Sequence, residues 1–163
     1  MAGIYTVSFF EQTLTAANGD YDLFEIVPAT DSRCHIVGLI LGNKSEVGTS
    51  QEEMVSYSVT RFTGGTYTGG NGTSTTPAPA ESDNAAATFT AETVGATVAT
   101  TTGTTTQLHQ DTFNIRSGLQ LWFPREMRLG LVGAANAALV VRLRTALADD
   151  ATISGTLYVR EYT

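Results

Sequence analysis

The sequence predicts an all-β domain, a jelly-roll-like antiparallel β-sandwich with one long low-complexity loop. Threonine occurs 27 times in 163 residues, and β-branched side chains favour strands. Short runs of period-two alternation recur, separated by Gly, Pro, Asn and Asp, while almost nothing has helical spacing. Residues 108–123, LHQDTFNIRSGLQLWF, make the case most plainly: two strands broken at Arg116-Ser117-Gly118. Leu108, Phe113 and Ile115 supply the first strand's apolar residues. In the second, Leu119, Leu121 and Phe123 alternate with Gln120 and Trp122, which sends one set of side chains to a buried sheet face. Eight or nine such strands point to a sandwich. Their number and the long crossovers suit a jelly roll better than an immunoglobulin domain, which would carry a Cys–Trp–Cys spacing.

The elements follow in chain order. Residues 4–10 (IYTVSFF) form a strand by β-branched and aromatic content, and residues 13–17 extend it past a bulge or corner. Asn18-Gly19 signals a type I′ hairpin turn, returning the chain through residues 21–27 (YDLFEIV) until Pro28 withdraws a backbone donor. Strict alternation would put Tyr21, Leu23 and Glu25 on one face, with Phe24 and Ile26 on the other. Residues 34–41 (CHIVGLIL) are nearly all apolar, as in a central strand buried on both faces. Residues 46–53 hold the only helical turn in view, with Ser50 as N-cap and Glu53 at capping-box spacing.

Residues 54–62 (MVSYSVTRF) alternate cleanly, Val55, Tyr57, Val59 and Arg61 against Met54, Ser56, Ser58, Thr60 and Phe62. Residues 63–87 then carry Gly, Thr, Ser, Pro and Ala but hardly a large apolar side chain, which predicts a long surface loop or arm. Tyr67 is the side chain within it able to anchor on a neighbour. Residues 88–106 suggest a pair of short edge strands around Gly95 and Gly103. After Pro124 and a crossover through residues 127–131, residues 137–146 alternate Leu139, Val141 and Leu143 against Val140, Arg142 and Arg144. Ala148-Asp149-Asp150 turns into residues 152–162, where Ile153, Leu157 and Val159 face inward against Thr156, Tyr158 and Arg160. These last two strands either pair as a hairpin or cross between sheets.

Length suits one domain, residues 1–163, with residues 1–10 available as an N-terminal arm. A net charge of −7, with nine scattered Lys and Arg, argues against nucleic acid. No apolar run approaches a membrane span, and the start MAGIYTVSFFEQ has no basic leader region, so the expected site of synthesis is a cytoplasm with no membrane partner. The lone Cys34 excludes an internal disulfide and reads as a buried, inert thiol. His35 beside it would point to the opposite face of a strand.

No candidate chemistry holds together. His109 and Asp111 share one strand face, as two ligands of one metal would, but a catalytic zinc needs three protein ligands and His35 is the only other histidine. Glu46, Glu52 and Glu53 lack calcium-loop spacing and suit a solvated face. The glycine-rich run lacks the Gly-Lys-Ser/Thr ending of a phosphate loop. No serine sits in a nucleophile elbow, and no motif selects two of the sixteen acids as a glycosidase pair. The two N-x-S/T matches, at Asn43 and Asn71, mean little without a secretion signal. Trp122 could stack on a sugar, though a lone Trp between Leu121 and Phe123 more often fills an edge or a subunit contact. The expectation is a protein without catalysis, metal or cofactor.

Four blocks in order, MAGIYTVSF, PAPAESDNAAATFTAET, LHQDTFNIRSGLQLWFP and VVRLRTALADDATISGTLYVRE, resemble a family of small structural proteins of tailed bacteriophages, the capsid decoration or cement proteins. The resemblance covers nearly the whole chain and rests on block order, not on catalytic signatures. It implies a jelly-roll-like fold, a place on the outside of the virion capsid, the major capsid protein as partner, and a homotrimer. An N-terminal arm and long loops would then make the contacts, with Ile4, Tyr5, Phe9, Phe10, Tyr67 and Trp122 as candidate capsid or subunit interface residues. The rival readings are a tail- or fibre-associated module binding a glycan through Trp122 and Tyr67, and a sandwich hydrolase using His109 and Asp111.

Overall fold

The computed structural model describes residues 2–44, 53–144 and 146–162, so the helical turn expected at residues 46–53 lies almost wholly outside the described residues. The strands are β1 (Ala2–Leu14), β2 (Tyr21–Val27), β3 (Arg33–Asn43), β4 (Met54–Thr63), β5 (Tyr67–Thr68), β6 (Thr73–Thr75), β7 (Ala78–Pro79), β8 (Thr90–Gly95), β9 (Thr100–Thr101), β10 (Thr104–Asn114), β11 (Leu119–Trp122), β12 (Leu129–Val132), β13 (Ala138–Leu143) and β14 (Ala151–Tyr162). A single 3-10 turn, Arg125–Met127, separates β11 from β12. Sheet I runs β11–β3–β14–β1–β7, with β12 following β11 along the same edge of β3; sheet II runs β10–β4–β13–β2–β8–β6. All pairings are antiparallel. The molecule is an antiparallel β-sandwich.

The two sheets enclose one large core. Val7, Leu39 and Leu157 come from sheet I, Phe24, Val59 and Val141 from sheet II, and all are essentially inaccessible to water. Phe9 meets Phe24 across the layers with ring centres 5.2 Å apart. The alternations of β4, β11, β13 and β14 hold as read, and Arg61 follows its strand's phase far enough to donate to the Gly130 carbonyl of the opposite sheet at 3.3 Å. Burying each large aliphatic or aromatic side chain contributes roughly 1.5–3 kcal/mol, so this layer is the principal source of stability.

Three expectations need correction. β1 and β2 are not a hairpin: they lie in different sheets, and neither Asn18 nor Gly19 has the positive φ of a type I′ turn. Tyr21 fills that corner instead, its hydroxyl accepting from the Thr15 amide at 2.9 Å and from the Asn18 side chain at 2.7 Å. Strict alternation also fails in β2. Asp22 pairs with Arg142 and Phe24 with Val141, leaving Leu23 as an extra residue, so Leu23 and Phe24 both point inward and Glu25 faces out. Third, the stretch expected as an N-terminal arm, residues 1–10, is not free over its described part, residues 2–10: β1 pairs with β14 along almost its whole length.

The low-complexity insertion between β4 and β10 is ordered structure. β6 joins β8 on the edge of sheet II, β7 joins β1 on the edge of sheet I, and β5 pairs with β9 above them. It roofs the outer face of sheet II, where Phe62, Ala99, Ala138 and Val140 form a second buried cluster with Val27 and Tyr67 against it. Among the described residues nothing covers the outer face of sheet I in this way. β13 and β14 cross between sheets.

Candidate functional site

On the uncovered face of sheet I, Trp122 and Tyr158 both pair with Gly38, so three neighbouring strands place them in one row. The rings of Trp122 and Tyr158 stand 4.9 Å apart at 43°, and Trp122 is 50% exposed. Gly38 makes this arrangement fit: a Cβ there would come within 2.4 Å of Trp122 Cε3. The indole therefore lies over bare backbone and presents its other side to solvent. Phe10 is 75% exposed, turned outward by a bulge in β1 at which Glu11 takes φ +49°.

Farther along the same face, Gly130, His35, Arg160 and Ile4 form another row across β12, β3, β14 and β1, with Arg33 and Tyr162 paired beyond it. The His35 ring lies over Gly130, where a Cβ would come within 2.6 Å, and packs 5.2 Å from Tyr162. The Arg160 guanidinium sits over the same tyrosine at 5.3 Å. A recess of about 370 Å³ opens here, lined by Asp31, Arg33, His35 and Tyr162. Burial depresses the His35 pKa below its usual value, and the charges of Arg128, Arg33 and Arg160 depress it further.

Three buried carboxylates hold the insertion to the sandwich. Asp22 receives Arg142 in a two-point ion pair, at 2.5 and 3.0 Å, and also accepts the Ala99 amide at 2.5 Å. Glu25 accepts the Tyr67 hydroxyl at 2.5 Å and the Gly70 amide at 3.0 Å. Glu161, at the end of the inward face of β14, accepts the hydroxyl of Thr88 at 2.5 Å and its amide at 3.1 Å. Burial raises the Glu25 pKa against the opposing pull of the Tyr67 and Gly70 hydrogen bonds, and the charges of Asp22 and Glu92 raise it further. Burial raises the Tyr67 phenol well above its usual value, with Glu25 adding to the effect. Every acid in this set has a positioning task, so the arrangement is a scaffold.

The residues singled out in the sequence fall into separate places. Tyr5 and Phe9 are core: Tyr5 packs edge-on to Phe89 at 5.7 Å and donates to the Ala85 carbonyl at 2.9 Å. Ile4 is half-buried on the uncovered face, Phe10 and Trp122 are exposed, and Tyr67 anchors within its own chain. His109 bonds the Tyr57 hydroxyl at 3.0 Å and packs edge-on to Phe123. Exposed Asp111 takes its own neighbour's amide, from Thr112, at 2.8 Å. Among the described residues no group of three or more His, Cys, Asp or Glu could hold a metal. Cys34 is fully buried, its pKa pushed up to about 12 by burial and then by Glu161. No helix among the described residues is long and apolar enough to cross a membrane.

Sequence reasoning missed the arginine cluster around His35 and the partners of the buried acids. Arg33, Arg128 and Arg160 are far apart in the chain, and only the pairing of β3 with β12 and β14 brings their strands together. No family model matches this chain, and neither a curated protein nor a solved structure matches it.

Proposed function

We propose that this chain is a non-catalytic capsid decoration protein of a tailed bacteriophage, a homotrimer that binds the major capsid protein on the outside of the head and stabilises the shell. The observation that carries the reading is the asymmetry of the sandwich. One outer face is sealed by the chain's own insertion, and the other presents Trp122 on Tyr158 beside a basic recess. An adhesive protein needs such a face, and repeated copies on a regular shell multiply modest contacts. The order of the long strands supports a jelly roll: β1, β14, β3 and β11 are neighbours in one sheet, β2, β13, β4 and β10 in the other, with β1 to β4 alternating between sheets.

The test is binding of the purified protein to heads that lack it, followed by pelleting. Wild type should pellet with the heads and Trp122→Ala should stay in the supernatant with its fold intact; wild type left in the supernatant overturns the reading. A second reading, a tail- or fibre-associated glycan-binding module, draws on the half-exposed Trp122 seated over Gly38, an aromatic surface suited to a sugar ring. It expects retention of wild type, but not Trp122→Ala, on immobilised host polysaccharide.

A further inference from the structure

We propose that the recess lined by Asp31, Arg33, His35 and Tyr162 on the outer face of sheet I, with Arg128 and Arg160 close to His35, is a binding site for a carboxylate side chain from an acidic segment of a partner protein. It names the chemistry of a contact on the face used in the functional reading above, and is tested without capsids.

Four observations carry it. Nε and Nη1 of Arg128 and Nε of Arg160 are buried, yet have no hydrogen-bond partner among the described residues. Buried guanidinium donors ordinarily have acceptors, and both arginines lie close enough to His35, which lines the recess, for their charges to act on it. Second, these cations gather in a chain with 16 acids and only nine Lys and Arg, while the ion pairs among described residues are made by Lys44, Arg142 and Arg144. Among the described residues none of Arg33, Arg128 or Arg160 has an acid within ion-pair distance, and Asp31, the one carboxylate lining the recess, pairs with none of them. Third, a recess of about 370 Å³ admits a side chain. Fourth, its walls include the rings of His35 and Tyr162, packed 5.2 Å apart, which suit the methylenes of Glu or Asp.

Arginine donors in fork geometry match a carboxylate in two-point contact. A nucleic acid is disfavoured because a net charge of −7 repels a dense phosphate backbone over distances larger than the recess. A carboxylate brought in by a protein partner adds one local charge, and the arginines meet it at contact. Burial lowers the His35 pKa first and the charges of Arg128, Arg33 and Arg160 lower it further, which places the three cations near the recess.

The experiment titrates the full chain with a blocked tetraglutamate peptide while following the His35 ring resonances by NMR. Blocked tetraglutamine, inorganic phosphate and a short single-stranded DNA are the comparison ligands. Tetraglutamate should give a saturable shift and raise the apparent His35 pKa, tetraglutamine should do neither, and phosphate or DNA should act only at concentrations at least tenfold higher. Arg160→Met and, as a second variant on the exposed lip, Arg33→Met should each weaken the response at least fivefold, whereas Lys44→Met should leave it unchanged. No shift, a shift equal in Arg33→Met, or equal potency of phosphate or DNA would overturn the assignment. Failure here with intact binding to heads leaves the capsid reading standing; success here with no binding to heads removes that reading alone.

Discussion

The phenolic hydroxyl of Tyr67 donates to Oε2 of Glu25 at 2.5 Å, tying the longest glycine- and threonine-rich segment of the chain to the outer face of sheet II. A segment with almost no large apolar residue cannot hold itself in place by burial. It is held by acceptors that the sandwich provides, and its amides and hydroxyls are the donors. Tyr67→Phe keeps the ring against Phe62 but leaves a buried carboxylate short of one donor. The expected loss is about 1–3 kcal/mol in urea unfolding, with faster proteolysis inside residues 64–103. An unchanged midpoint with unchanged proteolysis would refute the tether.

Glu25 should give stability a definite pH dependence. Its raised pKa means that the folded chain binds this proton more tightly than the unfolded chain does. Its contribution to folding is therefore full below the ordinary value of 4.5 and is lost as pH rises through the raised folded value. Glu25→Gln removes that slope. The stability difference between wild type and Glu25→Gln should favour wild type more at acid pH than at neutral pH; a pH-independent difference, or the opposite slope, contradicts it.

The Asp22–Arg142 pair anchors the other strand of the roof. Asp22 is fully buried and Arg142 nearly so, and Arg142 Nη2 also donates to the Ala99 carbonyl at 2.7 Å. Asp22→Ala leaves the guanidinium without its counter-charge and should cost about 3–5 kcal/mol. Asp22→Leu combined with Arg142→Met should recover much of that loss. Equal destabilisation in the single and double variants would show that packing of the aspartate, and not its charge, matters here.

Trp122 is the only tryptophan, so its fluorescence reports one site. Gly38→Ala places a methyl where the indole now lies and should move the emission maximum and destabilise the fold by about 1–3 kcal/mol. An alanine variant with wild-type emission and stability would mean that the indole does not rest on that backbone.

Cys34 should be inert until the sandwich opens. A thiol pushed up to about 12 carries roughly a thousandfold less thiolate than one at the ordinary value of 9.0. Labelling by an aromatic disulfide reagent should be negligible in the native protein and prompt in denaturant. Rapid native labelling would contradict the burial of β3.

Much of the sandwich was legible because its strands obey a period of two: Val55, Tyr57 and Val59, or Leu157 and Val159, announce their inner face directly. What failed is what one extra residue changes. The bulge at Leu23 reverses the phase of β2, and only its pairing with Arg142 and Val141 of β13 reveals it. The sheet to which a strand belongs was equally hidden, because β1 could close on β2 locally but pairs instead with β14, far away in the chain. Ser58, Thr60 and Phe62 fall together by alternation, opposite Val55, Tyr57 and Val59; they are buried as well because the insertion covers them, and nothing local in the sequence signals a roof. The basic recess was invisible for the same reason, being assembled from residues of separate strands.

The most direct measurement of the proposed decoration role is a quantitative protein count in purified heads and, separately, in purified tails of a phage found to carry the gene for this chain. A molecule that works by adhesion to a repeating shell should be present in the heads in many copies, in fixed ratio to the major capsid protein, and absent from tails. Its absence from heads would contradict the central claim, and its presence in tails alone would favour the glycan-binding module.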